Sequence, residues 1–267
     1  LKWDSPWGVG YPGWHIECSC ISMKYLGDDL DIHCGGIDNA FPHHTNEIAQ
    51  SESYLGHKWC NYWFHVHHLN TEDGKMSKSK GEFLTVSLLE EKGYDPMVYR
   101  YFCLQSHYRR NLVFSWENLD NAAAAYEKLI ARIAALKAEG DVDSAAFDAL
   151  KARFTGALDG DLNTSLAITC LFDVLKAKCS DATKLAALAD FDRVLSLNLL
   201  ENAEKLQKKQ AEEEAAAADP EIDALVSART EAKKAKNFAE ADRIRDELKA
   251  RGIEIIDTPQ GAKWRKV

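Results

Sequence analysis

Two lysines and two serines lie together in the segment Lys75-Met76-Ser77-Lys78-Ser79. Compact ammonium groups can neutralise the negative charge that develops as pyrophosphate leaves a triphosphate. Gly74 and Gly81, one on each side, would allow such a loop to close. The residue types therefore suit a loop that closes on a triphosphate. The alternative is a solvated turn whose lysines face water.

A second group of residue types suits a metal ion. His43 and Glu47 are four residues apart on a predicted helix and project from one face, while Cys18 supplies a thiolate from a separate segment. A set of nitrogen, oxygen and sulfur ligands is typical of zinc. Each residue also has an ordinary explanation, because most buried cysteines are inert and a His-Glu pair on a helix is commonly a surface contact.

Up to about residue 70, short apolar runs and turn signals predict an α/β sheet that positions these residues. The run LDIHCGGIDN predicts a buried strand that ends in a glycine turn. A helix is predicted over HHTNEIAQSESYL, with Pro42 in its first turn and Gly56 at its end. The aromatic segment CNYWFHVHHLN predicts one strand that leads into the lysine loop.

From about Thr85 onward, apolar spacings of three and four predict helices. Four of them form a predicted antiparallel bundle, over residues 116–138, 144–158, 163–180 and 183–208. The acidic run QAEEEAAAADP is either a linker or a helix extension, and we favour the linker. The last residues, 221–267, predict a helical pair followed by strand, turn and strand around Pro259-Gln260-Gly261.

Composition predicts a soluble cytoplasmic protein. Seven cysteines, an odd and scattered set, suit free thiols better than a disulfide framework. Nothing resembles a signal peptide, and no apolar run approaches the ~18 residues that suggest a membrane span. The net charge of -9 does not favour a nucleic-acid partner, although residues 221–267 carry eleven Lys/Arg against nine Asp/Glu.

These motifs are continuous with a pattern that resembles the cysteinyl-tRNA synthetases, a family of class I aminoacyl-tRNA synthetases. The resemblance covers essentially the whole chain, in the stretches GWHIECSC, DIHCGGIDNAFPHHTNEIAQ, KMSKSKGEFLTVSLLE, YDPMVYRYFCLQSHYRRNLVFSWENL and IEIIDTPQGAKWRKV. The His-Ile-Gly-His type motif of the first half of the family's nucleotide fold does not occur in this sequence. We therefore expect a C-terminal part that lacks the first half of the catalytic domain.

The resemblance implies an α/β fold, the second half of a class I Rossmann-type nucleotide-binding domain, followed by an α-helical bundle and a small C-terminal α+β domain. Five divisions are implied in chain order. Residues 1–84 form the catalytic half with the zinc site and the lysine loop, and residues 85–115 form a stem-contact and connecting helical region. Residues 116–209 form an anticodon-binding bundle, residues 210–220 a linker, and residues 221–267 a small tRNA-recognition domain.

The implied function in protein biosynthesis is ATP-dependent activation of cysteine to cysteinyl adenylate and its transfer to tRNA(Cys) by a monomeric ligase. Lys78, assisted by Lys75, stabilises the phosphates of ATP, with which magnesium enters. One zinc ion is held by Cys18, His43 and Glu47, together with a further cysteine from the absent half, and binds the substrate thiolate. A hydroxyl is a poorer zinc ligand than a thiolate, so serine is rejected without an editing domain.

Five further residues gain implied roles in binding substrates. Trp14 and His15 occupy positions that line the amino acid pocket in the family, where an aromatic face closes over a small side chain. Gly35, Gly36 and Asp38 match the strand end near the adenosine ribose, whose hydroxyls can donate hydrogen bonds to a carboxylate.

Some positions depart from the family pattern. Cys34 stands where glycine is common, Thr45 stands where an acid is common, and HVHHLN replaces a glycine-containing approach to the lysine loop. The last change affects the backbone that contacts adenine in the family. We predict that Cys20 and Cys34 are packing residues rather than metal ligands, and that His44 faces the substrate or supports a ligand.

The C-terminal residues carry a basic cluster that is predicted to contact tRNA phosphates beside an unstacked base. Its members surround Trp264 or share two helical turns, and are Arg229, Lys233, Lys234, Lys236, Lys263, Arg265 and Lys266. Two other functions stay open. One is a related ligase that joins activated cysteine to an amino sugar and lacks an anticodon-binding extension. The other is a non-catalytic fragment that binds zinc and RNA.

Overall fold

Helices make up most of the fold. The computed structural model describes residues 2–11, 13–71, 74–75, 85–217, 219–258 and 261–266. The chain divides into two units, Leu1–Leu200 and Glu201–Val267. Within the described ranges, no helix combines the length and the apolar composition needed to cross a membrane.

The first unit begins with an antiparallel pair of short strands and continues into a parallel pair with two helices. The elements are β1 (Trp3–Ser5), β2 (Gly8–Gly10), α1 (His15–Leu26), β3 (Leu30–Gly36), α2 (Thr45–Leu55) and β4 (Cys60–Val66). Strands β3 and β4 pair in parallel, and α2 is the crossover between them. Because the ladder is parallel, the carboxyl ends of β3 and β4 lie side by side at one edge.

A small apolar core holds β3, β4 and the two helices together. It consists of Leu30, Trp59 and Cys60, against which Met23, Leu55 and Trp63 pack. The predicted helix after β3 begins three residues later than expected. Pro42 lies in a π-helical turn over Ala40–His44, and α2 begins at Thr45. Its end at Gly56, whose φ is 78°, is as predicted.

The segment predicted as one strand over residues 60–70 is divided in the structure. Strand β4 ends at Val66, and β5 (Leu69–Thr71) belongs to a separate three-stranded sheet with β6 (Gly74–Lys75) and β7 (Leu112–Phe114). Strand β7 lies in a stretch that was predicted to be helical. It is three residues long and pairs in parallel with β5, a partner distant in sequence, so local periodicity could not reveal it.

Two short helices, α3 (Val86–Glu91) and α4 (Pro96–Leu104), precede β7. Five helices follow, α5 (Trp116–Ala134), α6 (Ser144–Asp159), α7 (Thr164–Lys176), α8 (Asp181–Leu195) and α9 (Leu199–Ala217). Helices α5–α8 pack on one another as a bundle, and most of α9 belongs to the second unit. Phe154 of α6 stacks on Phe191 of α8 with ring centroids 4.1 Å apart in the buried interior.

The prediction of a single helix over residues 183–208 is wrong. The chain turns between α8 and α9, where Leu195, Leu197 and Leu199 are all buried. A continuous helix cannot direct three alternate residues to one core. Asp192 stabilises the turn, since its carboxylate accepts hydrogen bonds from the backbone N–H groups of Leu197 and Leu199 at 2.6 and 2.8 Å.

The segment 210–220, favoured as a linker, is helical up to Ala217. The acidic run is therefore a helix extension, which was the alternative to the linker. Alanine and glutamate have high helix propensity, and Lys209 lies 3.9 Å from Glu213 one turn later, so the composition of the run favours a helix.

The second unit contains the predicted helical pair and strand–turn–strand. Its elements after α9 are α10 (Pro220–Lys234), α11 (Phe238–Ala250), and the antiparallel strands β8 (Ile253–Thr258) and β9 (Gly261–Lys266). The side chains that form its core are Ile222, Val226, Ile244, Leu248 and Ile253.

Trp264, and Arg229 of the predicted basic cluster, have structural roles in this unit. Trp264 is partly buried against the core, and its indole N–H donates to Asp223 at 2.7 Å. Arg229 is 6% exposed and is therefore not placed to contact phosphates. Lys234 is exposed and pairs with Glu231 at 2.8 Å.

Candidate metal centre

Cys18 is presented by α1, beside the start of α2. Glu17 in the first turn of α1 and Lys24 in the last turn complement the helix dipole. The Cys18 thiol is partly buried, and its pKa is raised first by the loss of water and then by the negative charges of Glu47 and Glu17.

His43 and Glu47 approach Cys18 from the turn before α2 and from its first turn. The side chain of Glu47 is fully buried. His43 Nε2 lies 2.9 Å from Glu47 Oε1, so the predicted four-residue spacing holds across the helix start. The ligand atoms of Cys18, His43 and Glu47 all lie within 4.8 Å of one another.

The two oxygens of the Glu47 carboxylate have different surroundings. Oε2 is 2.8 Å from His33 Nε2, in hydrogen-bonding geometry. Oε1 is buried and has no hydrogen-bond partner among the residues that the structure describes, despite the proximity of His43. His43 Nε2 is 2.9 Å away but is not in hydrogen-bonding geometry, and a buried carboxylate oxygen that accepts no hydrogen bond is unfavourable, which a bound cation would relieve. With an imidazole and a thiol beside it, the site fits a zinc ion.

His33, His44 and Glu47 form a second group of similar compactness. His33 already bonds Oε2 of Glu47, and His44 Nδ1 is 2.8 Å from His65 Nε2. The buried position of His44, and then the nearby His33, His65 and His43, lower the pKa of His44 to about 4, so this ring is neutral. These nitrogens therefore support Glu47 and one another, while the Cys18 group leaves a carboxylate oxygen available.

His33 and His65 were not identified from the sequence. His33 lies two residues before Gly35 on β3, and His65 is opposite Gly35 in the ladder. Alternate strand residues share a face. His33 therefore shares a face of β3 with Gly35. That spacing, together with the His43–Glu47 pair, could have predicted that His33 lies near the site.

The glycine pair at the end of β3 lies next to these histidines. A Cβ added at Gly35 would be 2.7 Å from His44 Cε1, and one added at Gly36 would be 2.5 Å from Asp38 Oδ1. Gly35 thus makes room for the His44 ring. Asp38 is exposed, and its Oδ1 is 3.5 Å from His68 Nε2.

Trp14 and His15 both lie against His43. The Trp14 ring meets His43 edge-on with centroids 4.8 Å apart, and the His15 ring is 5.8 Å away. His15 is held by two side chains of α2, with Nδ1 3.1 Å from Gln50 Oε1 and Nε2 3.0 Å from Asn46 Nδ2. The structure therefore brings the predicted amino acid pocket and the predicted metal ligands together.

Four other residues named in the sequence analysis are not part of the groups described above. Lys75 forms β6 with Gly74, and its backbone pairs with Asn70 of β5. Lys78 lies outside the described residues. Cys20 and Cys34 belong to neither metal group found in the described ranges. Both are exposed, so their prediction as packing residues is wrong.

Comparisons with known protein families match most of these elements. A model described as "tRNA synthetases class I (C) catalytic domain" matches residues 1–124, and one described as "Cysteinyl-tRNA ligase anticodon binding domain" matches residues 215–265. The first match contains the candidate metal centre. The second covers the small C-terminal unit, whereas the anticodon-binding function was predicted for the bundle at 116–209.

Curated relatives align along nearly the entire chain. A cysteine–tRNA ligase of Brevibacillus brevis is 44% identical over 100% of the chain and 59% of its own length. Those of Halorhodospira halophila and Burkholderia lata are 46% and 41% identical over 99% and 98% of the chain. The chain spans 58% and 53% of their respective lengths. With both domain matches and these identities, the chain belongs to the cysteinyl-tRNA synthetase family of class I aminoacyl-tRNA synthetases.

Proposed function

We propose that the protein activates cysteine with ATP and transfers it to tRNA(Cys), with zinc selecting the substrate thiol. The observation that carries the proposal is the convergence of ligand atoms of Cys18, His43 and the buried Glu47 within 4.8 Å of one another, where Glu47 Oε1 accepts no hydrogen bond in the described ranges. The likeness to cysteine–tRNA ligases supports the same reaction.

The chain's own residues hold and orient one zinc ion. Cys18, His43 and Glu47 supply sulfur, nitrogen and oxygen, and His33 fixes the carboxylate through Oε2. Such supporting contacts orient a ligand and raise its basicity. When bound, zinc supplies a bond to the cysteine thiolate that the serine hydroxyl makes poorly.

Trp14 and His15 are proposed to form the wall of the amino acid pocket. His15 is held on both ring nitrogens by Asn46 and Gln50, so its orientation is set before substrate enters. Trp14 is largely exposed beside His43 and offers an aromatic face next to the metal ligands. A pocket that is oriented in advance reduces the entropy lost on binding.

The ATP site is proposed at the carboxyl edge of β3 and β4, as the second half of a Rossmann-type fold. Ligands of parallel α/β sheets bind outside the carboxyl ends of the strands. Gly35, Gly36 and Asp38 lie at that edge. Lys78, assisted by Lys75, is proposed to stabilise the charge on the departing pyrophosphate, with magnesium entering as the ATP complex.

The C-terminal unit is proposed to bind tRNA, supported by its likeness to an anticodon-binding domain over 215–265. We also propose that residues 85–115 contact the acceptor stem, that the bundle at 116–209 contributes to tRNA binding, and that the protein is a cytoplasmic monomer. Neither an amino-sugar ligase nor a non-catalytic fragment is favoured by a specific observation, and the C-terminal match weighs against the first.

Metal analysis of single variants tests the zinc site. In the native full-length protein, Cys18→Ala and His43→Ala should each bind much less than one equivalent of zinc. Cys20→Ala is the matched control, because Cys20 lies on the same helix, is exposed and belongs to neither metal group in the described ranges. Undiminished zinc in both ligand variants would overturn the assignment.

Exchange of pyrophosphate into ATP tests the activation step. Lys78→Ala should lower the cysteine-dependent exchange rate by about 10²–10³-fold, the usual effect of removing one preorganised electrostatic donor. Circular dichroism should show an unchanged fold. A near-normal exchange rate would refute the role of Lys78.

Removal of residues 221–267 from the full-length protein distinguishes a tRNA enzyme from the amino-sugar ligase. Cysteine activation should be nearly unchanged, because its proposed groups lie in the first unit. Affinity for tRNA(Cys) should fall, and its dependence on salt concentration should weaken as phosphate contacts are lost. Unaltered affinity and salt dependence would remove this unit from tRNA recognition.

A further inference from the structure

The loop between α4 and β7 is attached to the carboxyl end of β4. The Tyr108 ring stacks on Phe64 with centroids 4.2 Å apart. The Tyr108 carbonyl accepts a hydrogen bond from the His67 backbone N–H at 2.9 Å, and Asn111 Oδ1 is 3.2 Å from His67 Nδ1. Since β4 ends at Val66, the loop lies directly beside the edge of the sheet proposed to bind ATP.

The same loop is attached to the helical bundle at the turn between α6 and α7 and at the start of α7. Asp161, in the turn between α6 and α7, accepts a short hydrogen bond from the Tyr108 hydroxyl and pairs with Arg109 Nε at 2.7 Å. Thr164, the first residue of α7, donates from its hydroxyl to the Ser106 carbonyl at 3.3 Å. Tyr108 therefore contacts the sheet with its ring and the bundle with its hydroxyl.

The turn that carries Asp161 has an unusual backbone. Asp161 and Leu162 have φ values of 63° and 51°, in the left-handed region that residues other than glycine seldom adopt. Such conformations persist where surrounding contacts determine them. The backbone N–H of Leu162 donates to the Leu158 carbonyl at 2.8 Å. The carboxylate that meets Tyr108 is thus presented by a defined turn.

We propose that Tyr108 and Asp161 are positioning residues that align the helical bundle with the carboxyl end of β4, so that a bound tRNA presents its 3′ end to the activated amino acid. This inference rests on the proposed function. The proposed metal ligands, and Gly35 and Gly36 at the proposed ATP edge, lie on the β3–β4 side of the Tyr108–Asp161 contact. Transfer to tRNA requires that the bundle keeps a fixed position and orientation relative to the β3–β4 sheet.

The transfer step is the one that misalignment affects. A displacement of about 1 Å between reacting groups can lower a rate by ~10²-fold. Tyr108→Phe keeps the ring that stacks on Phe64 and removes the hydroxyl that reaches Asp161. We therefore expect the transfer rate constant to fall by about tenfold or more, and cysteine-dependent ATP–pyrophosphate exchange to stay within about twofold of the unmodified protein.

The experiment uses the native full-length protein loaded with zinc. Exchange and charging of tRNA(Cys) are first measured in the unmodified protein, and their absence would refute the proposed function itself. Single-turnover transfer and exchange are then measured for Tyr108→Phe and Asp161→Asn. Asparagine tolerates the left-handed conformation, so the second variant removes charge without altering the turn.

Tyr94→Phe is the matched control. The Tyr94 hydroxyl donates to Asp120 Oδ1 in a hydrogen bond as short as that of Tyr108, but its ring stacks on Trp116 of α5 rather than on a residue of β4. Both of its activities should stay within about twofold of the unmodified protein. The proposal is overturned if transfer by Tyr108→Phe and Asp161→Asn matches this control. It is also overturned if exchange falls in parallel with transfer, since a general folding defect lowers both.

Discussion

Substitution of Gly35 by alanine should destabilise the metal centre through one close contact. The added Cβ would lie 2.7 Å from His44 Cε1 and 2.9 Å from Asn39 Nδ2, about 0.7 Å inside ordinary van der Waals contact for the nearer atom. The His44 ring cannot withdraw freely, because it is 3% exposed and its Nδ1 lies 2.8 Å from His65 Nε2. Overpacking of this kind costs about 1–3 kcal/mol.

If the contact between His44 and His65 breaks, the loss of unfolding free energy should lie towards the upper end of that range, because a buried nitrogen left without a partner costs about 1–3 kcal/mol. The assay is denaturant unfolding of the native protein, followed by tryptophan fluorescence. Gly10→Ala is the control, since no atom lies within 4 Å of its added Cβ and its φ is outside the positive range. Equal stability of the two variants to within about 0.5 kcal/mol would refute the packing argument.

Three further substitutions test the helical bundle by the same unfolding assay. Phe154→Ala should lose about 3–5 kcal/mol, because the ring is buried and stacked on Phe191, and a loss below about 1 kcal/mol would contradict this packing. Asp143→Ala should lose about 1 kcal/mol, since Asp143 caps α6 by accepting from the Ala146 N–H, and unchanged stability would count against the cap. Gly156→Ala should gain about 0.5–1 kcal/mol, because Gly156 is inside α6 and its added Cβ meets no atom within 4 Å; destabilisation would show an unseen clash.

Elements with local causes were predictable from the sequence. Gly56 ends α2 in the left-handed conformation that glycine adopts without strain. The hairpin of β8 and β9 lies on either side of the predicted turn at residues 259–261. Elements with distant partners were not predictable. Strand β7 exists through its pairing with β5, and the break between α8 and α9 depends on the burial of Leu197 and on the carboxylate of Asp192.

The candidate site shows the same division. Cys18, His43 and Glu47 could be proposed because their residue types suit zinc and because His43 and Glu47 are one helical turn apart. The support from His33 and the contact between His44 and His65 depend on the parallel pairing of β3 with β4, which sets His33 opposite Trp63 and Gly35 opposite His65. The spacing of residues along the chain does not reveal which residues of the two strands lie opposite each other.

The sequence by itself determined the family, the ligand types, most helices and the hairpin, because these depend on residue chemistry and on contacts within a few positions. Only the tertiary structure decided that one Glu47 oxygen is bonded by His33 while the other lies beside His43, with the Cys18 thiol close to the same carboxylate. It also decided that Tyr108 joins β4 to the turn at Asp161. The physical reason is that these contacts join segments that are distant along the chain, and only the packing of the strands and helices sets the distances between them.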